Sequence, residues 1–132
     1  MRLDAGAAWS LLSTTDHGVL STVHEARGVD AVPVVFAAMD DGRIAVPIDT
    51  VKAKSTTRLQ RIANIERDPR CVLLVDHYDD DWSQLWWVRV HAHASMTDDV
   101  PDALRRFPRY AAPNAVVAAI LLTPTEVTGW QA

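Results

Sequence analysis

Residues 48–78, IDTVKAKSTTRLQRIANIERDPRCVLLVDHY, decide how this chain is read. An apolar strand ending at Ile48 runs into a basic, hydroxyl-rich turn, a short helix and a second apolar strand. Lys52, Lys54, Ser55 and Thr56 put two ammonium groups and two hydroxyls where the helix begins. The free backbone N–H groups of the first turn and the positive end of the helix dipole add to them, making a cradle for an anion. Composition alone favours the plainer reading of a capped surface helix with solvated lysines, and the flanking sequence is what tips the balance. Pro69 ends the helix because it cannot continue the hydrogen-bond ladder, and Arg70 to Val75 resumes as a strand.

A chain of 132 residues suits one domain with a sizeable core. Its 48% hydrophobic and 23% charged residues describe a globular protein rather than a disordered one. The net charge of -4 offers no basic excess to replace phosphate counterions, which argues against nucleic acid as a partner. The single cysteine, Cys71, lies in an apolar run, so neither a disulfide framework nor a redox thiol pair is expected. The opening residues lack an export signal and no segment has the length of a membrane span, so no membrane partner and a cytoplasmic location are expected.

Working outward towards the N-terminus, Asp4 is an N-cap for a helix carrying Ala7, Ala8, Leu11 and Leu12, ending before Asp16-His17-Gly18. Val19 to His24 and Ala31 to Ala38 read as a hairpin turning through Glu25 to Asp30. Both faces of the second strand are apolar, which predicts cover on both sides. Pro33 removes a ladder donor and marks an edge strand or a bulge. Asp40-Asp41-Gly42 is a turn into Arg43 to Ile48, where Ile44, Val46 and Ile48 alternate with Arg43, Ala45 and Pro47. The small residues of that second set leave room for a flat ligand or make a tight packing surface.

Towards the C-terminus, a helix over residues 56–67 is predicted to bury Leu59, Ile62 and Ala63. Cys71 to Val75 suits a central strand. The acidic loop at 76–81 lacks regular metal-ligand spacing and reads as a solvated turn. From Ser83 to Met96 a strand points Trp86, Val88, Val90, Ala92 and Ala94 one way and Leu85, Trp87, Arg89, His91 and His93 the other. His91 and His93 could chelate a metal, but no third ligand is evident and no metal site is expected. Tryptophans on opposite faces suit a strand buried from both sides, as at a dimer interface. Asp99 to Phe107 reads as a helix, Tyr110 to Asn114 as a loop, and residues 116–122 and 125–130 as two final strands separated at Pro124. Nucleophile-elbow, phosphate-loop and dinucleotide-glycine motifs are all absent, which points to chemistry borrowed from a cofactor.

In order, STV, VPVVFA, IAVPID-x-x-K-x-K, LQRIANIERDPRCVLLVDHY, DWSQLWWVRVHAHA and LLTPTEVTGW resemble the pyridoxamine 5'-phosphate oxidase-like split β-barrel flavoproteins. Within them the chain is most similar to the short branch proposed to use the deazaflavin coenzyme F420. The resemblance implies a mainly β protein, a six-stranded antiparallel split β-barrel, dimeric, with two cofactor sites between protomers. It implies that Lys52, Lys54, Ser55 and Thr56 hold the cofactor phosphate and that Pro33, Val34, Ile48 and Asp49 line the ring. Trp82, Trp87 and Arg89 would border the site from the other protomer. Relatives carry a Gly-x-Pro-His hairpin where this chain has Arg27-Gly28-Val29-Asp30, so contacts from that turn are not carried over.

Three functions follow from the resemblance. The first is an oxidoreductase that binds coenzyme F420 and passes a hydride to a small unsaturated or conjugated substrate. The second is the same fold using FMN. The third is a binding protein that holds a cofactor or haem without turnover.

Overall fold

The computed structural model describes residues 1–49, 59–112 and 114–132. In chain order the elements are β1 (Arg2–Leu3), α1 (Ala5–Ser13), β2 (His17–His24), β3 (Gly28–Val35), β4 (Ala37–Ala38), β5 (Ile44–Asp49), α2 (Gln60–Arg67), β6 (Arg70–His77), β7 (Trp86–Thr97) and β8 (Val116–Gln131). Short 3-10 turns occupy Trp82–Gln84, Asp102–Arg106 and Pro108–Tyr110. Six long strands match the expected count, and β1 and β4 are two-residue additions.

All strand pairs are antiparallel, in the order β3-β2-β6-β7-β8-β5-β4, with β1 also on β8. The curled sheet brings β3 near β5 without pairing them, so a split remains between its two ends. Inside, Leu20, Phe36, Ile44, Leu73, Val88, Val90, Ile120 and Leu122 are fully buried. Each such side chain contributes about 1.5–3 kcal/mol of transfer free energy. Helix α1 adds Ala8 and Leu12, and α2 adds Ile65. No helix among the described residues is long and apolar enough to cross a membrane.

Local chemistry sets the element ends. The Asp4 carboxylate accepts the Ala7 N–H at 2.8 Å and caps α1 as expected. The β2–β3 hairpin turns more tightly than expected, through Glu25, Ala26 and Arg27 alone. Its tip is closed by His24 Nδ1, which accepts the Ala26 and Arg27 N–H groups at 3.0 Å each. Gly28 then adopts φ +91°, a left-handed conformation favouring glycine, and pairs with His24. The strand consequently starts at Gly28 rather than Ala31, and His17 and Gly18 belong to β2 rather than to a turn.

Several expectations need correction. Within one chain the outward side of β3 is uncovered, with Ala31 and Pro33 exposed on an edge strand. Of the two readings left open for the small residues of β5, the tight packing surface holds at Ala45, which packs with Ala37, Leu104 and Ala119 in a second small core. Helix α2 buries Ile62, Asn64 and Ile65 and exposes Ala63, because the stripe that meets the sheet begins one turn later than the Leu59 register implied. The segment after Asp99 forms 3-10 turns rather than an α-helix, although Leu104 is buried as its spacing required. Leu85 precedes β7, and Tyr110, expected to begin a loop, ends the Pro108–Tyr110 turn and is buried.

The two final strands are one. At the β7–β8 register shift, His91 pairs with Glu126 and Ala92 with Pro124, leaving Thr125 as the extra residue of a bulge. The Thr125 hydroxyl donates to the His91 carbonyl at 3.1 Å. Pro124 has no N–H to donate, so the ladder bends there instead of stopping.

Candidate cofactor cleft

Strands β3 and β5 bound the split. Pro33 lies on the outer side of edge strand β3 opposite Val19, while the Val34 side chain points into the core and is 7% exposed. Ile48 is half-buried, and the β5–β8 register shifts between Ile48 and Asp49, where Ile48 pairs with Ala118 and Asp49 with Val116. The extra residue is Val117 of β8, opposite the end of β5, the sort of irregularity that borders functional sites. Lys52, Lys54, Ser55 and Thr56 lie outside the described residues.

The helix that follows them is anchored by a buried polar cluster that the sequence reading missed. Asn64, 2% exposed, donates from Nδ2 to Thr22 Oγ1 at 2.9 Å and to Asp30 Oδ2 at 3.0 Å. Its Oδ1 accepts from Gln60 Nε2 at 2.9 Å. Arg27 makes a two-point contact with Asp30, and Arg67 donates to the Val23 carbonyl at 3.0 Å. The Asp30 carboxyl is held at a pKa of about 2, first by Arg27 and then by Asn64. Together these bonds fix α2 over the β2–β3 hairpin. The signal was available: Thr22 is a polar residue on the inward side of β2, and Asn64 adjoins the Ile62–Ile65 stripe.

The remaining candidates lie on the outer face of the sheet. Strand register places Pro33, Val19, Leu74, Arg89 and Thr128 in one cross-strand row. Beside it run Ala31, Ser21, Val72, His91 and Glu126 on one side, and Asp76, Trp87 and Trp130 on the other. The Arg89 guanidinium stacks 5.2 Å from the Trp87 ring centroid. Val19, Leu74 and Trp130 are 37%, 40% and 37% exposed, so the face is apolar as well as open. Trp82 stands apart in the Trp82–Gln84 turn, 72% exposed and held there by the Asp81 cap on Ser83. Three strand spacings of ~4.8 Å separate Pro33 from Arg89, about 14 Å in all. One chain therefore does not bring the Pro33 side of the split and the Trp87–Arg89 pair onto the same small ligand.

Other groups are chemically quiet. Cys71 is buried, its thiol directed at the Ala92 carbonyl at 3.5 Å, and burial pushes its pKa up to about 11. It is a packing residue rather than a nucleophile. His77 stacks on Trp86 with ring centroids 6.3 Å apart. His93 is exposed and His91 half-buried. Among the described residues no three His, Cys, Asp or Glu side chains gather as a ligand set.

No family model matches the sequence, and no curated protein matches it. Solved structures do match the fold. An FAD-binding protein from Mycobacterium smegmatis is 19% identical with a TM-score of 0.68, the match covering 98% of this chain and 96% of the other. An FAD-binding protein from Mesorhizobium loti is 15% identical with a TM-score of 0.72, over 98% and 93% of the two chains. A candidate pyridoxamine 5'-phosphate oxidase from Corynebacterium glutamicum is 18% identical with a TM-score of 0.63, over 98% and 90%. The protein has the split-barrel fold of pyridoxamine 5'-phosphate oxidase-like proteins.

Proposed function

We propose that the chain is an oxidoreductase of the flavin and deazaflavin type, working as a homodimer. It binds coenzyme F420 and uses it to pass a hydride to a small unsaturated or conjugated substrate. The observation that carries the reading is the split between β3 and β5 in a fold shared with FAD-binding proteins, with the β5–β8 register shift opposite Ile48/Asp49 on its rim. The residues present fit such a group. An uncovered edge strand offers backbone groups beside Pro33, and two lysines and two hydroxyls follow β5 in sequence. Dimerisation supplies what one chain lacks, since Trp87 and Arg89 of a second copy reach a cleft that those of the same chain do not.

When bound, the cofactor supplies the electron chemistry. Lys52 and Lys54 hold its phosphate with Ser55 and Thr56, Pro33 and the β5 rim seat the ring, and Trp82, Trp87 and Arg89 exclude water from the open side. The printed names of the similar structures favour a second reading, the same cleft holding FMN or FAD. Titration of the purified protein with F420, FMN and FAD, followed by ring absorbance and fluorescence, separates the two. Tight binding of F420 with weak binding of both flavins is the expected result; the reverse order transfers the function to a flavin, and no binding of any of the three refutes an oxidoreductase of this type.

A further inference from the structure

Reduction of a conjugated C=C bond consumes a proton as well as a hydride, so a cleft of the proposed kind needs an acid beside it. Of the five histidines, four are distant or already committed. His24 spends Nδ1 on the hairpin tip, at the far end of β2. His77 stacks on Trp86, and His91 and His93 lie on β7, three strands from the edge strand β3. His17 opens β2, the strand next to β3, and pairs with Val35, while Val19 pairs with Pro33. The two-residue period sets His17 on the outer side with Val19 and Pro33. The diagonal from His17 to Pro33 then spans about 7–8 Å, within reach of a ligand seated on that proline.

The imidazole is oriented as a proton donor must be. Its Nδ1–H donates to Asp16 Oδ1 at 2.8 Å, so the proton left to exchange is the one on Nε2, and Nε2 makes no hydrogen bond with another described residue. The Asp16 carboxyl is held below its ordinary value first by this bond, with a smaller share from Arg106. The pair is fixed from the closed base of the split. The Asp16 carbonyl accepts the Phe36 N–H at 2.9 Å, and the Arg106 guanidinium donates to the Thr15 and Phe36 carbonyls at 3.4 and 3.3 Å. Phe36 joins β3 to β4, the strand that pairs with β5. Packing does not call for such a pair, since the two side chains are 78% and 64% exposed.

We infer that His17, oriented by Asp16, is the proton donor to an α,β-unsaturated carbonyl substrate reduced on the outer side of Pro33. Hydride from the reduced cofactor adds with its electron pair to the carbon β to the carbonyl. The C=C bond opens and its pair moves to the carbonyl oxygen as an enolate. The proton on Nε2 passes to the α carbon, a saturated carbonyl compound leaves, and neutral His17 regains a proton from solvent. Asp16 stays ionised throughout and stabilises the imidazolium. The inference rests on the proposed cofactor reading and adds to it the acid and the substrate class.

The test uses 4-nitrophenolate, an unreactive mimic of the enolate, on protein loaded with whichever of F420, FMN and FAD it binds, followed by phenolate absorbance. Wild type should bind it, His17→Gln should bind it about ten- to a hundredfold more weakly, the worth of a charge-assisted hydrogen bond, and Asp16→Asn should lose less. Wild-type affinity should pass through a maximum with pH, rising as the phenol ionises and falling as His17 loses its proton. Only the alkaline limb should vanish in His17→Gln. The other charged groups around that end of β2 are Asp16, Arg106, Asp76 two residues along β6 from the Val19–Leu74 pair, and Arg89 on β7. Carboxylates and guanidinium groups keep their charge from about pH 6 to 9, so the limb belongs to His17. Loaded wild type that binds the phenolate no more tightly than His17→Gln, or not at all, overturns the proton donor and leaves the cofactor reading standing, as does an alkaline limb that persists in the variant. A protein that binds none of the three cofactors overturns both.

Discussion

Replacing Asn64 with leucine should cost the protein a large share of its stability, although the two side chains are similar in size. The change removes the bonds to Thr22, Asp30 and Gln60 and leaves the Thr22 hydroxyl, 2% exposed, without that donor. A neutral hydrogen bond is worth about 1 kcal/mol net, and stranding a buried hydroxyl adds about 1–3 kcal/mol. The sum, about 2–4 kcal/mol, leaves out Asp30, which keeps its Arg27 contacts. For a domain of this size that corresponds to a fall in melting temperature of roughly 10 °C. The assay is thermal or urea unfolding of Asn64→Leu, Thr22→Val and the pair combined. Removing both partners avoids a stranded hydroxyl, so the double variant should be clearly more stable than the sum of the two single losses predicts. An Asn64→Leu protein within 0.5 kcal/mol of wild type, on the order of the spread for neutral surface changes, would refute the reasoning.

Other outcomes follow from the same contacts. Asp30 and Asp68 are held at about pH 2, below the usual carboxylate value, chiefly by Arg27 and Arg70. Their contribution is therefore complete above about pH 4 and is lost as the pH falls from there towards 2; Asp30→Asn and Asp68→Asn should flatten that part of a stability–pH curve. Gly18→Ala should destabilise by about 1–3 kcal/mol in urea melts, since overpacking costs of that order are typical. Its new Cβ would stand 2.7 Å from the Leu74 carbonyl oxygen, which belongs to the neighbouring strand backbone and cannot turn aside. Lys54→Ala should weaken cofactor binding by about ten- to a hundredfold, the worth of one charge-assisted contact, with the melting temperature unchanged. Normal binding in that variant, with loss in Arg58 or Arg61 variants, would move the phosphate further along the chain.

The alternation of apolar residues was enough to place five of the six long strands, and gave the sixth, β8, as two pieces. Leu20, Leu73, Val88, Val90, Ile44 and Val46 occur at strand period, and period two dictates which side meets a core whatever the partner strand is. Asp4, Pro69 and Asp40-Asp41-Gly42 punctuated the chain because caps and turns are settled by bonds within a few residues. The proposed anion cradle is likewise a local pattern, Lys52, Lys54, Ser55 and Thr56, and it lies outside the described residues. Pairing was not legible in this way. That Thr22 and Asp30 would meet Asn64, that Ala45 would lie under Leu104, and that Pro124 would bend one strand rather than divide two depends on segments 30 to 60 residues apart in the chain. The same holds for the outer face: His17 and Pro33 are ordinary strand residues in sequence, and only strand register sets them on one diagonal. Local chemistry acts over a few residues and repeats along the chain, whereas cross-strand neighbours follow from how the whole sheet closes, which no single stretch encodes.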